Sequence, residues 1–135
     1  MNMRDYVRLQ TAVLVRRLAF QVNRAAGSGD ADSIHDLRVA IRRLSRCLRV
    51  FSQFYPGNSW KKVRSQLAEL LAAAGRVRDR DIALQLLAEA GVPRRAAIVT
   101  RIEAERRKAA HELLLEIRRW KGRNFSRRWR NRLEL

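Results

Sequence analysis

His35-Asp36-Leu37-Arg38-Val39-Ala40-Ile41-Arg42-Arg43-Leu44-Ser45-Arg46-Cys47-Leu48-Arg49-Val50-Phe51 is a stretch with two chemical faces. At about 100° per residue, His35, Arg38, Arg42, Arg46 and Arg49 fall within a sector of roughly 80°. Leu37, Ile41, Leu44, Leu48 and Phe51 occupy the far side. A 3.6-residue period of this kind predicts an amphipathic helix whose apolar stripe faces a core.

The same period extends outward in both directions. Upstream, a helix is expected from about Asp5 to Ala26, stopped by Gly27-Ser28-Gly29. Asp30 to Ser33 carry short oxygen-bearing side chains that can accept from the orphan amides of the next first turn, and that second helix is expected to reach about Phe54, before Pro56 and Gly57. Downstream, Trp60, Val63, Leu67, Leu70, Leu71 and Ala74 mark one face of a third helix over roughly Ser59 to Val77. A break is expected near Arg78-Asp79, with Asp79 and Asp81 at the electropositive start of a short helix to about Ala90, ended by Gly91 and Pro93. A long helix from about Arg94 to Lys121 should turn Ile98, Ile102, Ala109, Leu113, Ile117 and Trp120 inward, and Phe125, Trp129 and Leu133 imply one more. No stretch alternates with period two for long. The expected fold is all-α: an antiparallel bundle of about four long helices plus one or two short ones, forming a single domain over residues 1–135.

The charge balance is extreme. Thirty Lys and Arg against 13 Asp and Glu give a formal charge of +17, a self-repelling surface suited to a polyanionic partner. Only four of the cations are lysines (Lys61, Lys62, Lys108 and Lys121), and the guanidinium fork matches phosphate oxygens two at a time. A lone cysteine, Cys47, cannot close an intramolecular disulfide, which suits a reducing cytoplasm. There is no apolar run of about 18 residues to span a membrane.

Helical geometry leaves two readings of the basic face open. Arg38 to Arg49 extends about 16 Å along the axis with almost no carboxylate interleaved, which suits a phosphate chain; a solvated outer face would look the same on a protein this basic. A lone histidine near a helix start, such as His35, is more often a capping or packing residue than a ligand contact, and spacing does not decide between them.

The pattern His35-x-x-Arg38-Val39-x-x-Arg42-Arg43-Leu44, continued by Leu48 and Phe51, resembles the signature of CHAD domains (conserved histidine α-helical domains). Gly75-x-x-Arg78-Asp79-x-Asp81 resembles the same family's second element, at about the expected distance. The resemblance implies a helical bundle whose basic residues bind inorganic polyphosphate, or a similar polyanion, without turning it over, with no cofactor or metal. Position by position it implicates His35, Arg38, Arg42, Arg43 and Arg78, with Arg46 and Arg49 added from the same helix face. Asp79 and Asp81 match as well, and are expected to cap a helix and orient neighbouring arginines. The chain departs from the pattern at Ser45, where a basic residue is usual, with Arg46 one place later. Full-length family members resemble two bundles in tandem, whereas this chain carries the motifs of the first. A homodimer completing the pair is the corresponding expectation, with a cytoplasmic address and polyphosphate-containing granules as a candidate location.

Two other classes compete. Nucleic acid is the alternative partner, since charge alone would serve it equally, but the basic stripe carries no aromatic residue for stacking and no helix-turn-helix, zinc-finger or RNA-recognition signature is present. An enzyme is disfavoured. His35-Asp36 is similar to the dyad of metal-dependent phosphohydrolases, yet His111 is the only other histidine, and no Gly-rich phosphate loop exists. The basic tail residues Arg127, Arg128, Arg130 and Arg132 read first as solvated surface.

Overall fold

The computed structural model describes residues 1–135 as five α-helices: α1 (Met3–Gly27), α2 (Ala31–Val50), α3 (Ser59–Glu89), α4 (Ala97–Gly122) and α5 (Phe125–Leu133). A short 3-10 turn, Ser52–Phe54, follows α2. α1 packs on α2, α2 on α3 and α3 on α4, while α5 folds back against α1, α3 and α4. The all-α bundle expected from the periodicity is therefore the observed fold, and no helix is long and apolar enough to cross a membrane.

Each helix contributes the stripe that its sequence spacing dictates. Val7, Val15, Leu18 and Val22 of α1 meet Ile34, Leu37, Ile41, Leu44 and Leu48 of α2, all fully or almost fully buried. Val63, Leu67, Leu70 and Val77 of α3 complete one continuous cluster with Leu113 and Ile117 of α4. A fully buried side chain of this size contributes about 1.5–3 kcal/mol, and these stripes are the main source of stability in a chain whose surface repels itself. Polar insertions in the core are satisfied: the Thr11 hydroxyl donates to the Val7 carbonyl at 2.7 Å and shares a 2.7 Å hydrogen bond with the Tyr55 phenol.

The turns follow local chemistry. Asp30 caps α2, its carboxylate accepting from the Ser33 amide at 2.8 Å, as the sequence suggests. Asn124 sits at φ 50°, one of the few side chains that tolerate the left-handed region, and there the chain reverses from α4 into α5. Trp120, Phe125 and Trp129 then cluster with ring centres 5.0–5.1 Å apart, Trp129 edge to face with the other two, and the Trp129 indole N–H donates to Gln66 of α3 at 2.8 Å. That aromatic knot fixes α5.

Four expectations are corrected. α3 runs unbroken through Arg78-Asp79 to Glu89, so Asp79 and Asp81 lie within a helix and cap nothing. No Gly or Pro lies between Arg76 and Ala90, and the preference of Asp for a first turn is worth less than about 1 kcal/mol, too little to break a helix that α4 covers. Asp81 instead receives the Arg106 Nε of α4 at 2.5 Å, and the Arg106 Nη2 continues to the Gly29 carbonyl in the α1–α2 turn at 2.7 Å. α2 ends at Val50, before Phe54, because the chain tightens into the 3-10 turn. α4 begins at Ala97, after a turn in which the Ala96 amide donates to the Pro93 carbonyl, and Val99 takes the buried position while Ile98 is exposed.

Candidate polyanion-binding grooves

α2 is flanked by α1 on one side and α3 on the other, so its outward face forms a crest between two grooves. Arg42, Arg46 and Arg49 line the groove toward α3, whose floor is Ile41, Leu67 and Leu71. Its open volume is about 420 Å³. His35 and Arg43 line the groove toward α1, together with Arg16 and Arg17. A sector of roughly 80° on a helical wheel is thus divided by the packing of its neighbours.

Arg38 lies farther along the α2/α3 seam. Its Nη2 would stand 4.0 Å from a Cβ built on Gly75, so the guanidinium rests close to the α3 backbone where that helix carries no side chain. Its Nε is buried with no hydrogen-bond partner. Burial, and next the adjacent Arg42 charge, hold the Arg38 guanidinium below its ordinary pKa; Asp79 offsets this in part and Arg78 adds to it. Arg78 of the second motif therefore faces Arg38 of the first. Both motifs meet at one seam between antiparallel helices.

The ion pairs show which arginines are already occupied. Arg76 and Arg80 of α3 reach Glu112 and Glu105 of α4 at 3.9 and 3.7 Å, Arg106 holds Asp81, Arg119 holds Glu116, and Arg8 holds Glu134. Arg24 of α1 takes Asp36, the one carboxylate within the first motif. Of the seven sequence-implicated residues, His35, Arg38, Arg42, Arg43, Arg46, Arg49 and Arg78, none forms an ion pair. Ion pairs tie up the α3/α4 face, whereas along the α2/α3 seam Asp79 offsets the arginine charge only in part.

One groove residue escapes the motifs. Arg64 of α3 enters the α2/α3 groove with its Nε donating to the Ser45 hydroxyl at 3.1 Å. The position where the family pattern has a basic side chain thus holds a hydroxyl that anchors an arginine from the neighbouring helix. The signal was present in the sequence: Arg64, Ala68, Leu71, Gly75 and Arg78 recur at spacings of four and three, a single stripe of α3. Arg16 and Arg17 carried no such signal, because only packing places them beside Arg43.

The described geometry is a cationic helical bundle with arginines free of ion pairs from two helices along one seam. The CHAD domain family model matches residues 11–134, and the chain belongs to that family. CHAD domains are in general binding domains associated with polyphosphate. No curated protein and no solved structure matched the chain.

Proposed function

We propose that this chain binds inorganic polyphosphate along the α2/α3 seam and does not turn it over. The observation that carries the reading is Arg38: a partly buried guanidinium with an unpartnered Nε, beside Arg42 and Arg78, whose charge Asp79 offsets only in part. A charge held this way destabilises the free protein and is relieved when a phosphate oxygen arrives. Arg42, Arg46, Arg49 and Arg64 extend the same surface, so successive phosphates would meet successive guanidinium groups. Affinity would rest largely on released counterions and fall steeply with salt.

The chemistry asked of the site is holding, not cleavage. Hydrolysis of a phosphoanhydride needs an activated water and charge neutralisation at the leaving oxygen, whereas the groups that meet along this seam are chiefly arginines, which hold phosphate oxygens. His35 on the α2 crest adds a donor to a chain that passes over it. The reading includes a homodimer in which a second copy covers the open side of the seam. Light scattering with and without polyphosphate tests that part, and a monomer under both conditions removes it.

Calorimetric titration with long-chain polyphosphate tests the site. Arg38→Ala or Arg42→Ala is expected to weaken binding about tenfold, the scale of a charge-assisted hydrogen bond, and the exposed Arg4→Ala by far less. Equal losses for all three would mean diffuse attraction without a site. Duplex DNA is the alternative occupant; it should compete poorly with polyphosphate of equal charge, and preferential DNA binding would reverse the assignment.

A further inference from the structure

The groove between α1 and α2 has a different character from the α2/α3 seam. Its open volume is about 720 Å³, within the range of small-ligand sites. Leu14, Val39 and Ala40 make part of it apolar, and Arg16, Arg17 and Arg43 stand around it without ion-pair partners. Asp36, the only carboxylate lining it, is engaged by Arg24.

Two further features narrow the ligand. Phe20 lines this groove yet is 64% exposed, an aromatic face that the core does not use. Gln21, the next residue, lines it too, and its Oε1 is buried with no hydrogen-bond partner. An unmet carboxamide oxygen asks for an N–H donor. A ligand that satisfies all of these features has a flat ring, an N–H on its edge and several negative charges.

We propose that the α1/α2 groove is a nucleotide site, in which a nucleobase stacks on Phe20 and donates to the Gln21 amide while the phosphates meet Arg16, Arg17 and Arg43. Stacking supplies selectivity that charge cannot, because an inorganic phosphate chain has no ring to place on Phe20. The site is separate from the α2/α3 seam, so either assignment can fail while the other stands. The basic stripe of α2 itself carries no aromatic residue, and α1 brings Phe20 into the same groove as Arg43.

Calorimetry with ATP and with inorganic tripolyphosphate, anions of comparable charge, separates the base from the phosphates. ATP is expected to bind about tenfold tighter than tripolyphosphate, the scale of one base–aromatic stack. Phe20→Ala should bring ATP down to the tripolyphosphate level while leaving tripolyphosphate itself unchanged, and the exposure of Phe20 makes the substitution harmless to folding. Gln21→Leu should lower ATP affinity alone, by less. Equal affinities for ATP and tripolyphosphate in the native chain, or an ATP preference that survives Phe20→Ala, would overturn the assignment.

Discussion

Arg38→Met should stabilise the free protein and weaken its hold on polyphosphate. Methionine keeps an unbranched apolar stem against α3 and deletes the charged head. Leaving a buried donor without a partner costs about 1–3 kcal/mol, and more when it is fully buried and charged. Because the Arg38 head retains some solvent contact, the lower end applies, and relief of the like-charge pair with Arg42 at i,i+4 adds a few tenths. The expected gain is about 1 kcal/mol, read as a rise in melting temperature of about 3–4 °C for a chain of this length. Thermal unfolding followed by circular dichroism at low salt measures it, and added salt should shrink the gain by screening Arg42 and Arg78. With polyphosphate at about 100 times its Kd, the native chain gains about 2.7 kcal/mol while the variant gains less, so the order of stability reverses. A variant that loses a kcal/mol or more without ligand, or that gains as much from polyphosphate as the native chain does, would refute the view of Arg38 as an unsatisfied charge awaiting a phosphate.

Other expectations concern the frame that holds the seam. Arg106→Ala strands the Asp81 carboxylate, only 11% exposed, and frees the Gly29 carbonyl, so urea denaturation should show a loss of about 2–3 kcal/mol that Asp81→Ala in the same chain partly restores. Thr11→Val removes the partner of the buried Tyr55 phenol and should cost about 1–2 kcal/mol, with Thr11→Ser close to native. Burial pushes the Tyr55 phenol above the ordinary tyrosine range, so in an ultraviolet pH titration one of the two tyrosines should resist ionisation until the chain unfolds. The Ser33 amide holds the Asp30 carboxyl below its ordinary range, so the folded state favours the carboxylate. That contribution is complete above about pH 4 and disappears as acid protonates the folded form, so the melting-temperature gap between Asp30→Ala and the native chain should close below that pH.

The helices were legible wherever one face decides them. The leucine stripe from Leu37 to Leu48 announced both the helix and its buried side, and Asp30 announced where it starts. Arg78-Asp79-x-Asp81 misled, because short-range preference marked a helix start while the partner of Asp81 lies 25 residues onward on α4. No local pattern reveals that Arg106 will reach it.

The site was legible in part for the same reason. A helical wheel fixes which side of α2 bears arginines, but the neighbours of that side belong to tertiary structure. Arg38, Arg42, Arg46, Arg49 and Arg78 share the α2/α3 seam, while His35 and Arg43 border the other groove. Arg64 could have been found from its register with Gly75 and Arg78. Phe20 and Gln21 could not, since an exposed Phe and an unmet amide become informative only beside Arg43.

Titration of the isotopically labelled chain with a short polyphosphate, followed through the arginine Nε–Hε resonances by nuclear magnetic resonance, tests the seam most directly. Arg38, Arg42, Arg49, Arg64 and Arg78 are expected to shift together and saturate together, ahead of Arg127, Arg128 and Arg132 on α5. Uniform shifts across all the arginines, or saturation first on α5, would contradict the account.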